Sequence, residues 1–456
     1  MRLVWFRNDL RVCDNPALYN AAQPQQGVTA VVTLTPDQWR QHDDAPARLA
    51  FWWDNVRALA VELAQFNIPL RVLSLTDYAS CAPALLAVAR QLGARTLHFN
   101  REWPLNELRR DEQVIGLLSQ HGVSCDAQAC GDLIVAPQQL RTGQGTPFKV
   151  FTPFARSWRR FLLAHYPALI PLPAVQPPGI DGISVPVGLE CQAVDALFSG
   201  GYRRDLWPAG EVVAGQRLQQ FLQQREPDYA QRRDYPAQQA TSTLSPWLAC
   251  GVLSPRQCLL QLQQACCDDS WLDSSWLTEL IWREFYRHLL VDFPELSQGR
   301  PFRPAVEQRI QWHNDPQLFQ AWCQGETGFA LVDAAMCQLR ETGWMHNRLR
   351  MLTASFLTKL LRIDWRWGER FFMAQLIDGD FASNRGGWQW SASVGADAAP
   401  YFRIFNPQRQ LDRFDPQGQF VQQWLPAGQL QRAPVIDYAQ ARKTSLALYE
   451  SAQTDG

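Results

Sequence analysis

The first third of the chain alternates between short apolar runs and longer stretches of helical periodicity. Buried strands are predicted at 3–6, 29–34, 70–74 and 96–100, and helices at 47–66, 79–92 and 107–121. Strand and helix in this rhythm form right-handed βαβ units. The pattern predicts a small, Rossmann-like, doubly wound parallel sheet with a ligand crevice beyond the carboxyl ends of its strands. No G-x-G-x-x-G motif follows the first strand, which excludes dinucleotide binding of the usual Rossmann kind.

The pattern changes after residue 130. Residues 131–204 are rich in proline and glycine, which predicts a connector, with one aromatic and basic helix at 150–163. From 205 to 456 the periodicity is helical almost throughout. The predicted architecture is an α/β domain (1–130), an interdomain connector (131–204) and a larger all-helical domain (205–456).

Composition narrows the class of protein. A chain of 456 residues with 46% hydrophobic and 19% charged residues fits a globular protein of two or three domains. No apolar run approaches the roughly 18–20 residues of a membrane span, and the N-terminus is charged too early for a signal peptide. The eleven cysteines are scattered without a C-x-x-C pair, which indicates reduced thiols and no zinc site. We therefore expect a cytoplasmic protein without a metal.

The charged and aromatic residues are unevenly distributed. The net charge of −1 excludes a polycation that coats nucleic acid, but it allows a local basic groove. Thirteen of the 19 tryptophans lie from Trp207 onward. This density is typical of stacking on a flat base or cofactor, although a large helical core that uses tryptophan is equally compatible with it.

Hydroxyl side chains cluster at 241–245, directly before Pro246. A serine followed by proline is typical of a helix start, with the serine as N-cap. The same arrangement can bind an anion, because free N–H groups and the helix dipole point at it. Plain capping and an anion site both remain open for this segment.

One predicted helix carries an unusual stripe of side chains. Its members follow the spacing i, i+3, i+4, i+7 and i+8, and they are Glu279, Trp282, Arg283, Tyr286 and Arg287. Carboxylate, indole, guanidinium and phenol together make a poor core. The stripe is either the lining of a pocket or a salt-bridged surface.

A second helical segment places neighbouring arginines in different surroundings. Asn347 and Met351 are one turn apart and share a face. Arg348 and Arg350 lie about 200° apart around the helix axis. One of them can therefore contact an exterior phosphate while the other meets a buried anion, unless both are ordinary surface arginines.

The segment Asp378-Gly-Asp380 permits close backbone approach to a flat ligand. Its carboxylates suit the N–H edge of a heterocycle or a salt bridge with Arg350. An ordinary Asp-Gly turn explains the same residues. Two carboxylates without a histidine are weak grounds for a metal.

These residues lie in longer motifs that resemble the DNA photolyase/cryptochrome family, most closely the class I cyclobutane pyrimidine dimer photolyases of bacteria. The motifs are LVWFRNDLRVCDNPAL, TSTLSPWL, ELIWREFYRHL, GWMHNRLRM, DWRWGERFF and DGDFASNRGGWQW, and in this order they cover nearly the whole chain.

The resemblance implies that the helical domain binds FAD, bent into a U. The implied cofactor residues are Tyr229, Thr241, Ser242, Thr243, Leu244, Ser245, Trp276, Arg283, Asn347, Arg350, Asp378, Gly379, Asp380 and Asn384. Asp378 and Asp380 would meet the flavin and Arg350. Asn384 would face flavin N5. Thr243 departs from the arginine of many relatives, and a hydroxyl can still serve there.

The implied activity is light-driven electron transfer from reduced FAD (FADH⁻) to a dimer flipped out of damaged DNA, splitting of the cyclobutane ring, and return of the electron. The implied DNA-binding residues are Arg233, Glu279, Trp282, Tyr286, Asn347, Arg348, Met351 and Trp390. Arg233 and Arg348 would contact phosphates, and the indoles of Trp282 and Trp390 would flank the dimer. The implied residues of catalysis are Glu279 and Asn384 with a relay of Trp388, Trp365 and Trp312 that reduces oxidised FAD.

The resemblance also implies a light-harvesting antenna in the α/β domain. His42, Asn106 and Glu107 match positions that bind 5,10-methenyltetrahydrofolate in relatives. Ser297 and Gln298 replace a cysteine and a lysine at two further positions, which weakens one polar contact. A deazaflavin or no antenna remains possible.

Three other functions remain as alternatives. A cryptochrome-like blue-light receptor is disfavoured by Glu279, Trp282, Met351 and Trp390 together, and a (6-4) photolyase would carry histidine at Met351. A flavin-binding electron-transfer protein indifferent to DNA would not need Arg348 or Arg233. We expect a monomer that acts on UV-damaged DNA, single- or double-stranded.

Overall fold

A parallel β-sheet forms the first domain of the computed structural model, which describes residues 1–177, 198–266 and 269–453. Five strands pair in the order β3-β2-β1-β4-β5. They are β1 (Arg2–Phe6), β2 (Val28–Leu34), β3 (Leu70–Ser74), β4 (Thr96–Asn100) and β5 (Ser124–Gln128). Leu3 lies opposite Thr29 on one side and Leu97 on the other. The doubly wound sheet is confirmed, with a fifth strand that the apolar pattern does not predict.

Helices cover both faces of this sheet. They are α1 (Pro16–Ala22), α2 (Pro36–Gln41), α3 (Pro46–Ala64), α4 (Cys81–Leu92) and α5 (Leu105–Gln120). Side chains alternate along β1, so that Val4 and Phe6 pack with α3, while Leu3 and Trp5 pack with α4 and α5. A strand buried on both faces reads as a continuous apolar run, which explains why the sequence pattern locates β1 and β2 well.

The predicted helix of the connector is present as α6 (Phe151–Ala164). It packs on the helical domain: the Phe154 ring lies 5.1 Å from that of Phe285, and the Trp158 indole donates to Glu284 Oε2 at 2.6 Å. Residues 178–197 of the predicted connector lie outside the described residues. The proposed domain limits at 130 and 204 remain predictions.

The rest of the described chain is helical. The helices are α7 (Glu211–Gln224), α8 (Tyr229–Arg232), α9 (Ser245–Ala249), α10 (Pro255–Ala265), α11 (Ser275–Asp292), α12 (Pro304–Glu307), α13 (Pro316–Gln324), α14 (Ala330–Thr342), α15 (Asn347–Ser355), α16 (Trp365–Met373), α17 (Phe381–Ser391), α18 (Pro407–Phe414), α19 (Gln419–Trp424) and α20 (Tyr438–Gln453). A π-helical turn, Phe356–Leu360, extends α15. Short 3-10 turns are present at Glu226–Asp228, Asp269–Asp273, Pro294–Gln298 and Ala427–Gln429.

The two domains are joined by buried charges. Asp14, completely buried in the α/β domain, accepts from Arg256 Nε at 3.0 Å and from Ser254 Oγ at 2.5 Å. Gly251 has a φ of +67°, and a Cβ there would lie 2.1 Å from the Asn8 carbonyl oxygen. A glycine is required for this close approach. The interface therefore fixes the helical domain against the carboxyl ends of the strands.

Candidate functional site

Helix α11 carries the striped face predicted from the sequence, and the face makes two separate sets of contacts. Arg283 Nη1 donates to the Asp132 carbonyl at 2.9 Å, and Nη2 donates to the carboxylate of the same residue. Arg287 Nε donates to Asp132 Oδ2 at 2.8 Å. Asp132, in the connector, thus holds both arginines, and no motif predicted a role for this residue. Arg287 lines the cavity between the domains, and Arg283 is held in an ion pair with little exposure, so neither arginine belongs to a free surface.

Arg287 also binds Asp380, at 2.7 Å from Nη2 to Oδ2. Of the two carboxylates expected to meet the flavin and Arg350, Asp380 thus has a different arginine as its partner. Asp380 is the N-cap of α17 and accepts from the Ser383 N–H at 2.8 Å. Burial alone would raise the pKa of Asp380, but Arg287 and Arg283 outweigh it and lower that pKa to about 2. This carboxylate is ionised at neutral pH.

Arg348 and Arg350 point to different surroundings, as the helical geometry predicts. Arg350 Nη2 binds both oxygens of Asp378, at 3.0 and 2.7 Å. Arg348 Nη2 lies 2.6 Å from Asp234 Oδ2, and its guanidinium lies 4.7 Å from the Phe414 ring centroid. The predicted pairing of Asp378 with Arg350 is confirmed.

The hydroxyl segment 241–245 differs from its prediction. Helix α9 begins at Ser245, and its N-cap is Leu244, which makes no side-chain capping bond. Ser245 Oγ instead accepts from Trp344 Nε1 at 3.1 Å. Thr241, Ser242 and Thr243 are half-buried. The hydroxyls are thus not used in capping, and Ser254, at the start of α10, is the serine that caps with a full capping box.

Trp276 lies on the first turn of α11, and Tyr229 and Arg233 lie beside it. Trp276 is buried against Phe221, with 5.0 Å between ring centroids. The Arg233 guanidinium lies 5.6 Å from the Tyr229 ring and 2.5 Å from Glu279 Oε1. Two residues expected to contact DNA, Arg233 and Glu279, therefore bind each other. Burial raises the pKa of Glu279, and Arg233 counteracts it.

The indole of Trp282 is stacked on an aromatic side chain of the connector. Its ring lies 3.6 Å from that of Phe151 and 5° from parallel. Tyr286, one turn further along α11, packs so closely against α17 that a Cβ on Gly386 would lie 2.1 Å from its ring. Phe151 is a second connector residue at the site that sequence reasoning missed. Trp390 and Met351 are half-buried and Asn347 is exposed.

Asn384 lies on the first turn of α17 and donates from Nδ2 to the Glu369 carbonyl at 3.0 Å. The side-chain oxygen of Asn384 takes no part in that hydrogen bond. Glu369 in turn binds Arg385 Nε at 2.5 Å. Gly379 immediately precedes the N-cap residue of α17, and a Cβ on Gly379 would lie 3.2 Å from the Leu376 carbonyl oxygen.

Two of the three tryptophans predicted to form a relay are buried and the third is partly exposed. Trp388 is 2% exposed, Trp365 is completely buried, and Trp312 is half-buried. The Trp388 ring lies on Gly368, three residues after Trp365, where a Cβ would meet it at 2.1 Å. The residue after Trp312, His313, donates its N–H to the Arg362 carbonyl at 2.6 Å, just before Trp365. The three residues therefore occupy neighbouring segments that lead to the surface.

A cavity of about 610 Å³ lies between the domains, at the carboxyl ends of the strands. The antenna residues predicted from the resemblance line it together. Asn106 Nδ2 lies 3.0 Å from His42 Nε2, and His42 Nδ1 lies 3.7 Å from Glu107 Oε1. Tyr78 donates to the same Glu107 oxygen at 3.0 Å. The crevice expected beyond the strand ends is therefore present, and the three residues predicted to bind an antenna line it.

The same cavity reaches Gly379 and Asp380 at the start of α17. Two polar atoms that line it, Trp103 Nε1 and Ser297 Oγ, are buried and have no hydrogen-bond partner. Buried polar groups in proteins are normally satisfied, so these two atoms are suited to a bound ligand. Burial raises the pKa of Glu107, and His42 opposes that shift.

The described ranges lack both a metal-binding cluster and a membrane-spanning helix. Within the described ranges, no three His, Cys, Asp or Glu side chains lie close enough to hold a metal ion. No helix in the same ranges combines the length and apolar character of a membrane span.

Fold and site together define a two-domain protein in which an α/β domain and a helical domain with buried arginine–carboxylate pairs enclose a shared cavity. The family model "DNA photolyase" matches residues 2–176, and "FAD binding domain of DNA photolyase" matches residues 276–452. The chain belongs to the DNA photolyase family and carries its FAD-binding domain.

Individual relatives agree with this assignment over the full length. The deoxyribodipyrimidine photo-lyase of Vibrio cholerae is 42% identical, covering 99% of this chain and 100% of its own. That of Salmonella typhimurium is 44% identical, with 99% and 98% covered. The crystal structure of a bacterial class III photolyase from Agrobacterium tumefaciens superposes with a TM-score of 0.82 at 30% identity, over 99% of this chain and 97% of that one.

Proposed function

We propose that this protein is a deoxyribodipyrimidine photo-lyase of class I, which uses light to split cyclobutane pyrimidine dimers in DNA. The observation that carries the proposal is the division of contacts along α11. Arg283 and Arg287 bind Asp132 beside the interdomain cavity, whereas Trp282 stacks on Phe151. One helix thus joins a polar pocket to an aromatic surface suited to a flat, apolar lesion.

The donor set of the helical domain fits FAD. The unused hydroxyls of Thr241 and Ser242 suit its phosphates, and the Arg350–Asp378 pair suits the polar edge of its ring. When bound, FAD supplies light absorption and a transferable electron. The chain's own residues bind and orient that group, and Asn384 presents a neutral amide that can donate or accept.

The substrate would reach the site by leaving the duplex, as it does in photolyases, which are among the enzymes that flip bases. A dimer is poorly stacked, so that flipping costs less than for normal bases. Trp282 and Trp390 would flank it, and Glu279, Asn347, Tyr286 and Met351 would contact its edges. Arg348 and Arg233 would exchange their carboxylate partners, Asp234 and Glu279, for DNA phosphates.

Trp388, Trp365 and Trp312 would carry electrons inward from the surface to reduce oxidised FAD. The partial exposure of Trp312, the burial of the other two and the adjacency of their segments support this assignment. The N-terminal domain would bind a light-harvesting antenna. His42, Asn106 and Glu107 in the interdomain cavity would bind 5,10-methenyltetrahydrofolate. The unpartnered Ser297 Oγ would replace part of the contact expected from a cysteine.

The experiment that tests the proposal is dimer loss from UV-irradiated oligo(dT), with reduced protein, under blue light and in darkness. Restoration of intact thymines only in light supports the photo-lyase. FAD that is bound and photoreducible without any repair would instead support a cryptochrome-like receptor. Added methenyltetrahydrofolate should bind to wild-type protein and bind at least roughly tenfold more weakly to His42→Ala, since the variant loses a hydrogen-bond partner. We also propose a monomer located in the cytoplasm.

A further inference from the structure

Trp365 is completely buried, and its indole N–H binds a single carboxylate. Nε1 donates to Glu307 Oε1 at 2.6 Å. The other oxygen of Glu307 accepts from Arg366 Nη2 at 2.8 Å. Both oxygens are therefore fixed, and the carboxylate cannot turn away from the indole without losing an ion pair.

Two guanidinium groups lie over the same indole. Arg366 is 4.5 Å and Arg385 is 5.3 Å from the ring centroid. Such cations are attracted to the electron-rich ring and oppose the removal of an electron from it. Each has a carboxylate of its own: Asp364 Oδ1 lies 3.1 Å from Arg366, and Glu369 Oε1 lies 2.5 Å from Arg385. Glu307 is the anion that Trp365 itself binds.

We propose that Glu307 is a positioning residue for electron transfer, whose carboxylate stabilises the positive charge that passes through Trp365. The inference rests on the tryptophan relay of the proposed function. An electron leaves Trp365 for oxidised Trp388, and the indole N–H then shares its proton with Glu307 Oε1 along the 2.6 Å hydrogen bond. An electron from Trp312 restores Trp365, and the proton returns to Nε1. Trp365 and Glu307 end as they began.

The charges around Trp365 predict opposite effects on its loss of an electron when Glu307 or Arg366 is replaced. Removing the Glu307 charge leaves two cations beside the ring, so that electron loss from Trp365 becomes harder. Removing the Arg366 charge leaves the carboxylate less neutralised, so that electron loss becomes easier. A purely structural role would make both substitutions harmful, because both break the same ion pair.

The experiment is laser-flash absorption of the FAD-loaded protein in its oxidised state, following the rise of the tryptophan radical. In Glu307→Gln the yield of that radical should fall at least roughly tenfold, and in Arg366→Gln its rate of formation should rise. The control is Glu326→Gln, which removes a carboxylate paired with Arg432 at 2.8 Å, away from the indole. FAD content and melting temperature report whether each variant folds.

Trp365→Phe separates this inference from the proposed function. If Trp365→Phe still forms the radical at the wild-type yield, the relay itself is wrong. If Trp365→Phe abolishes the radical while Glu307→Gln matches wild type, the relay stands and the role of Glu307 is overturned. A fall in both Glu307→Gln and Arg366→Gln also overturns it. If Glu307→Gln does not fold, Arg366→Gln alone decides, because its predicted sign is the reverse of that for lost packing.

Discussion

Phe151 and Trp282 form a parallel aromatic pair between the connector and α11. Their ring centroids are 3.6 Å apart and the planes differ by 5°. Phe151 is 8% exposed, and its backbone N–H donates to Asp397 Oδ2 at 3.2 Å. One face of Trp282 is thus covered by the protein, and a flipped base must meet its remaining surface.

Replacing Phe151 should therefore weaken dimer binding without affecting FAD. In Phe151→Ala the indole of Trp282 loses its support. We expect affinity for UV-irradiated oligo(dT) to fall about tenfold, which corresponds to the interaction energy of one aromatic pair. Fluorescence anisotropy measures this change. Phe151→Tyr keeps the ring and should bind like wild type. Equal affinity in Phe151→Ala and wild type would contradict the prediction.

Because Arg348 and Arg350 bind different partners, replacing one should weaken DNA binding and replacing the other should weaken FAD binding. Arg350→Ala leaves the buried Asp378 carboxylate without its cation, and the protein should lose FAD during gel filtration. Arg348→Ala should retain FAD, since its partner Asp234 is 36% exposed, but it should bind damaged DNA more weakly. The ratio of flavin to protein absorbance and the anisotropy titration give the two readouts. Retention of both cofactor and affinity in both variants would show the assignment of the two faces to be wrong.

His346 predicts a loss of stability in acid. Its Nδ1 accepts from the Arg348 N–H at 3.2 Å and caps α15, and burial lowers the pKa of His346 to about 4. The unfolded chain takes up this proton near pH 6.5 and the folded chain near pH 4, so stability falls as pH drops through that window, by up to about 3 kcal/mol.

The matched variant is His346→Asn, because asparagine caps helices but does not titrate. Melting temperatures between pH 7.5 and 4.5 should fall less steeply for His346→Asn than for wild type. His288, whose pKa burial also lowers to about 4, contributes equally to both proteins. Parallel curves for the two proteins would refute a role for His346.

Gly368 should tolerate no side chain. A Cβ there would lie 2.1 Å from the Trp388 ring, so Gly368→Ala must displace the indole or the helix, and we expect a loss of about 1–3 kcal/mol in stability together with slower photoreduction. Denaturant unfolding and flavin absorbance under light measure the two effects. Gly116→Ala, on α5 with no atom within 4 Å of the added Cβ, is the control and should be neutral or slightly stabilising.

The fold was predictable where burial sets a clear periodicity. Strands β1 to β4 begin within one residue of their predicted positions, because each is an apolar run between helices. Strand β5 (Ser124–Gln128) was missed because it pairs only with β4 at the sheet edge and keeps polar side chains half-exposed. Its sequence carries no apolar run.

The site was predictable within single helices and not between distant segments. The opposite directions of Arg348 and Arg350 follow from the helical repeat alone. Asp132 is 151 residues from Arg283, and no periodicity connects the two. The pairing of Asp380 with Arg287, 93 residues away, was likewise not predicted. Long-range pairs of this kind depend on how distant segments pack together, which the local sequence pattern does not encode.

Helix α17 bears Asp380 at the interdomain cavity, Trp388 beside α16 and Trp390 near the opposite end. These three residues belong to one rigid element of eleven residues and its cap. A thermal displacement of this helix moves all three together, so the separations among them change little. The residue at the cavity, the residue proposed to begin the tryptophan relay and the residue proposed to flank the dimer are therefore held at a fixed spacing by a single helix.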